Sequence, residues 1–140
     1  MSTRATDDEV AAILADPDKR IIGELRWTDD EDVCAQEFLA PVTCASAELL
    51  VRGQRCAPAG TLRFALISRG LGRIAALDLG PGDLHFHRWS PGRRDEIVPV
   101  ADPPHDTASE RDAWRLFCRL TALTHDGELA DAPPTQESLL

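Results

Sequence analysis

The sequence predicts an α+β domain: one mainly antiparallel sheet of six to seven strands, with a short N-terminal helix and a C-terminal helix packed on one sheet face. Three observations lead there. Apolar and polar residues alternate from Thr61 to Trp89, interrupted by the glycine turns Gly70-Leu71-Gly72 and Gly80-Pro81-Gly82-Asp83. Ala113, Leu116, Phe117, Leu120 and Leu123 recur at helical spacing after the Asp102-Pro103-Pro104 break. Thr6 and Glu9 have capping-box spacing ahead of Val10, Ile13 and Leu14.

Taken in order, the first helix should stop at Asp16-Pro17. Ile21, Gly23, Leu25 and Trp27 alternate with Ile22, Glu24 and Arg26, the pattern of a half-buried strand. The acidic run Thr28–Asp32 suits a solvated hairpin loop leading into a strand at about 33–40. A further strand around 47–53 carries Leu49 and Val51, and Pro58-Ala59-Gly60 turns the chain. Strands over 61–69, 73–79, 84–89 and 97–100 follow, with Pro99 suggesting a sheet edge. Thr107 to Glu110 repeats the capping box and opens a helix ending near Gly127. The domain is therefore read as 1–127, and 128–140, with Pro133-Pro134 and no periodicity, as a flexible tail.

Composition narrows the class. At 140 residues the chain suits one domain, and no apolar run approaches the ~20 residues of a membrane helix. Met1–Glu9 lacks an apolar signal region, so a soluble cytoplasmic domain without a membrane partner is expected. Cys34, Cys44, Cys56 and Cys118 form no C-x-x-C pair and read as free, mostly buried thiols. No G-x-S-x-G elbow, phosphate loop or calcium loop occurs, and no cofactor is expected.

One hairpin carries the candidate chemistry. With Gly80–Asp83 as its loop, Leu79 faces Leu84, Leu77 faces Phe86, and the opposite face sets Asp78 across from His85 and Ala76 across from His87. His85, His87 and Trp89 share that face because strand side chains repeat every two residues. A carboxylate opposite an imidazole can fix its tautomer, and two imidazoles supply an acid–base pair near neutral pH. His-x-His with Asp78 as a third ligand would alternatively suit a metal ion. His105, in the Pro-rich connection, and His125, expected at a helix end, read as structural or solvated.

The formal net charge of −9 is uneven. Residues 1–50 carry 12 acids and 4 bases, 51–100 carry 4 acids and 8 arginines, and 101–140 carry 8 acids and 3 bases. The central arginines include Arg73, Arg88 and Arg93, which could hold phosphate because guanidinium forks match it; pairing with the acidic flanks is the plainer expectation.

The segment Leu77-Asp78-Leu79-Gly80-Pro81-Gly82-Asp83-Leu84-His85-Phe86-His87-Arg88-Trp89 resembles part of certain small uncharacterised bacterial families with an Asp…His-x-His hairpin and a C-terminal helix. The resemblance covers about 70–125; those families often carry a further His in the turn, where this chain has Gly82-Asp83. It implies a setting near toxin–antitoxin or mobile-element genes. Two functions follow as expectations. One is a small acidic binding or inhibitory protein that meets a basic protein partner through Asp29, Asp30, Glu31 and Asp32. The other is a toxin-like ribonuclease or phosphodiesterase acting on RNA, with His85 and His87 exchanging protons, Asp78 orienting His85, and Arg73, Arg88 or Arg93 holding phosphate. The oligomeric state is open, a homodimer being one option.

Overall fold

The computed structural model describes residues 7–30, 35–56, 59–80, 83–89, 96–98, 100 and 110–131. Helix α1 (Asp7–Ala15) leads into β1 (Arg20–Ile22), β2 (Thr28–Asp30), β3 (Ala35–Val42), β4 (Leu49–Cys56), β5 (Thr61–Ser68), β6 (Gly72–Gly80), β7 (Asp83–Arg88) and β8 (Glu96–Val98). Helix α2 (Glu110–Leu120) and β9 (Thr124–Asp126) follow. Strands β2 to β8 form one seven-stranded antiparallel sheet in chain order, so every connection joins neighbours. The expected α+β architecture is therefore present, with a short N-terminal helix and a C-terminal helix that contacts β5.

Alternation builds the covered face. Phe38, Gly53, Phe64, Leu77, Phe86 and Val98 stand in register across six strands. Helix α2 lays Ala113, Trp114, Leu116 and Phe117 over them, and Trp27, Phe38, Phe64, Trp114 and Phe117 pack in edge-on, tilted and stacked arrangements at centroid distances of 5.0–6.2 Å. Gly53 is required there. A Cβ at that position would lie 2.1 Å from the Phe38 ring, so the aromatic side chain occupies the volume that the glycine leaves empty.

Three expectations are corrected. The strand read over 21–27 breaks at Gly23, whose φ of 100° leaves the β region, and β2 starts only at Thr28. Thr28–Asp30, read as loop, is consequently an edge strand paired with Ala35–Glu37. The C-terminal helix ends at Leu120 instead of near Gly127. Ala122 takes φ 53°, while the amides of Ala122 and Leu123 donate to the carbonyls of Arg119 and Cys118, the double closure of a Schellman motif. The chain then runs as β9 parallel to β1, a pairing that periodicity did not suggest. It stays packed as far as Leu129, which is buried and bridged to Leu25. The turn prolines Pro58 and Pro99, His105, the Thr107 cap and residues 132–140 lie outside the described residues.

Among the described residues Cys44, Cys56 and Cys118 are free thiols. Burial pushes the Cys118 thiol up to about 12, which keeps it protonated and unreactive at neutral pH. No helix is long and apolar enough to cross a membrane among the described residues.

Candidate functional site

The turn between β6 and β7 pairs Gly80 with Asp83, which sets the register at Leu79–Leu84, Asp78–His85, Leu77–Phe86 and Ala76–His87. That is the expected pairing, and it places Asp78, His85, His87 and Trp89 on the sheet face opposite α2. The side chains meet differently from the expected arrangement. The Asp78 carboxylate lies 3.1 Å from His87 Nε2, on the diagonal, while His85 Nε2 lies 3.1 Å from Asp83. Ala76, directly across from His87, has no side chain long enough to meet the imidazole, so the ring leans one step along β6 to the nearest carboxylate.

Arg63, across from Asp78 on β5, grips the same carboxylate with two parallel hydrogen bonds, Nε to Oδ1 at 2.5 Å and Nη2 to Oδ2 at 2.8 Å. Asp78 is thereby shared between a guanidinium and an imidazole. His85 and His87 stand edge to face at 6.0 Å, His87 stacks on Trp89 at 5.5 Å, and the Arg73 guanidinium lies 4.3 Å from the Trp89 ring centre. A ladder thus runs along β7 from Asp83 through His85, His87 and Trp89 to Arg73. At the turn end of the sheet it borders a cavity of about 500 Å³ lined in part by Gln54, Cys56, Arg63, Asp78, Asp83 and His85.

Of the arginines expected to hold phosphate, the two described ones, Arg73 and Arg88, are not brought together. Arg73 is applied to Trp89, and Arg88 pairs with Ala75 on the face that carries Phe86. Arg93 lies outside the described residues. Among the described residues no group of three or more potential metal ligands converges.

Most of the other described central arginines are paired with carboxylates from the acidic flanks. Arg52 binds Glu37 at 2.8 Å, Arg69 binds Glu48 at 3.2 Å, and Arg55 binds Glu110 at 2.9 Å. Arg55 also donates to Gln36, whose amide donates to Asp29 at 2.9 Å, so a polar chain runs from β2 through β3 and β4 to the first turn of α2. Of the expected partner-contacting acids, Asp29 is exposed on the edge strand β2, Asp30 ends that strand, and Glu31 and Asp32 lie outside the described residues.

His125 has a structural role, in β9 and not at a helix end. Trp114 Nε1 donates to its Nδ1 at 3.0 Å, so Nε2 carries the proton and donates to the Gly23 carbonyl at 2.7 Å. The roles of Arg63, Asp83 and Arg73 were not foreseen. The spacing of Asp83 and His85, two residues apart on one strand face, carried the signal for one of them. The Arg63–Asp78 pairing was obscured by the bulge at Leu66–Ile67, which shifts the β5–β6 register.

No family model, curated protein or solved structure matches this chain.

Proposed function

We propose that this chain is a small acidic binding or inhibitory protein that captures a basic protein partner along the β2 edge, in a toxin–antitoxin, immunity or phage-defence setting. The observation that carries the reading is the use of the arginines. Arg52, Arg55, Arg63 and Arg69 are all committed to carboxylates within the fold, and Arg73 is committed to an indole. Paired guanidiniums are poor phosphate clamps, whereas β2 is an edge strand among the described residues, with Asp29 exposed on it, and offers an outer strand edge and negative charge. The test is titration of the chain with basic proteins encoded by its neighbouring genes. At low salt, neutralising Asp29, Asp30, Glu31 and Asp32 together should weaken binding by about tenfold or more, an effect that added salt erases. Unchanged affinity in the quadruple variant rejects this surface.

The ribonuclease reading draws on one observation, the contact of Asp78 with His87 beside His85. It requires that expressing the chain alone cleaves RNA or arrests growth, and that His85→Ala with His87→Ala abolishes the effect. A harmless chain, or a double variant as active as the parent, removes it.

A further inference from the structure

His125 joins three separate parts of the chain. Its half-buried ring stands in β9, Nδ1 accepts from the indole N–H of Trp114 on α2 at 3.0 Å, and Nε2 donates to the Gly23 carbonyl after β1 at 2.7 Å. An indole N–H can only donate, so this arrangement admits one form of the ring, the neutral imidazole with its proton on Nε2.

Neither neighbour gives way easily. Trp114 is buried and packs on Phe38, Phe64 and Phe117. The Gly23 carbonyl is pinned by Gly127, where a Cβ would collide with it, and by the bond from the Gly23 amide to the Asp126 carbonyl at 2.8 Å. A proton added at Nδ1 would set two donors against each other. The ring is the part with room to move, because it borders a cavity of about 280 Å³.

The charged groups around the ring do not hold an imidazolium in place. On α2, Arg111 and Arg115 are cations that pair with Asp131 at 3.4 Å and Asp112 at 3.3 Å, and the Cys118 thiol stays protonated. Arg20 of β1 pairs with Asp126 of β9, Glu24 after β1 pairs with Arg26, and Glu128 is exposed at the cavity. His85 and His87, by contrast, each lie 3.1 Å from a carboxylate that a protonated ring can keep.

Release has a natural boundary. Strands β1 and β9, three residues each, form a sheet of their own, apart from the seven strands β2 to β8. Two further bonds extend the pair, from the amides of Leu25 and Ala130 to the carbonyls of Glu128 and Leu25, both at 2.9 Å. So few bonds open at lower cost than the large sheet.

From this geometry we infer that His125 is an acid-operated clasp. Unprotonated, the ring ties the β1–β9 sheet to α2. A proton taken from solvent at Nδ1 breaks the bond to Trp114, the ring turns into the cavity, and the small sheet opens while the seven-stranded sheet stays folded. The clasp does not depend on the partner-capture reading.

Hydrogen exchange followed by NMR from about pH 8 to about pH 5 crosses the range in which imidazole takes up its proton. Protection factors, which correct for the intrinsic pH dependence of exchange, should fall by about tenfold or more at the Trp114 indole and the Gly23, Leu25 and Ala130 amides, and hold in β4, β5 and β6. His125→Gln keeps a donor for the Gly23 carbonyl but takes up no proton, and should remove this pH dependence. Imidazole nitrogen shifts of the parent give a reading without any substitution. His125 should be the Nε2–H tautomer at the alkaline end and gain its second proton in step with the loss of protection. Protection at β1 and β9 indifferent to pH, acid loosening that persists in His125→Gln, or an equal loss in β4 to β6 overturns the proposal.

Discussion

Lys19 is the chain's single lysine, and its side chain is fully buried. Its ammonium donates to the carbonyls of Ile13, Leu14 and Asp16 at the end of α1, where helix carbonyls run out of intrahelical partners; that of Ile13 also accepts from the Asp16 amide. A positive charge also suits the negative end of the helix dipole. Lys19→Met keeps the volume and strands the carbonyls, so chemical denaturation should show a loss of about 2 kcal/mol. Burial holds the Lys19 pKa below its usual 10.5. Between the lowered folded value and 10.5 the unfolded chain binds more protons, so this residue's contribution to stability grows as pH rises through that window. The gap between the parent and Lys19→Met should therefore widen toward pH 10.5. No periodicity argument could single out this lysine, because its function depends on where the chain turns after Pro17.

At the scale of elements, local rules worked wherever a short turn fixed the geometry. The β6–β7 register was legible because Gly80 pairs with Asp83, and alternation then assigns every face. Contacts within that face were less legible: Asp78 reaches His87 because Ala76 leaves room, a diagonal choice that pairing alone does not decide. The end of α2 was misplaced for a specific reason. A left-handed closing residue is ordinarily glycine, and this helix uses Ala122, five residues before the glycine that drew the expectation. Ala122→Gly should relieve that strain and raise stability by about 1 kcal/mol, visible as an increase in Tm. The parallel pairing of β1 with β9 joins segments about a hundred residues apart, and nothing in either segment alone announces it.

Across the whole molecule, ion pairs join the three unlike stretches of charge: Glu37 and Glu48 from the first and Glu110 from the last reach arginines of the middle. Their contributions differ with exposure. Arg69 and Glu48 are 82% and 73% exposed, so Arg69→Ala should change stability by less than about 0.5 kcal/mol. Arg55 and Glu110 are 18% and 26% exposed, and Arg55 also holds Gln36. Arg55→Ala takes the cation from a largely buried carboxylate and removes one hydrogen bond of the buried Gln36, and should cost about 2 kcal/mol in urea unfolding. The enclosed Lys19 has a practical consequence as well. A chain whose one side-chain amine is inside the fold offers amine-directed acylating reagents no side-chain target until it opens. The rate at which Lys19 becomes acylated is therefore a chemical clock for the opening of the α1 end of the molecule.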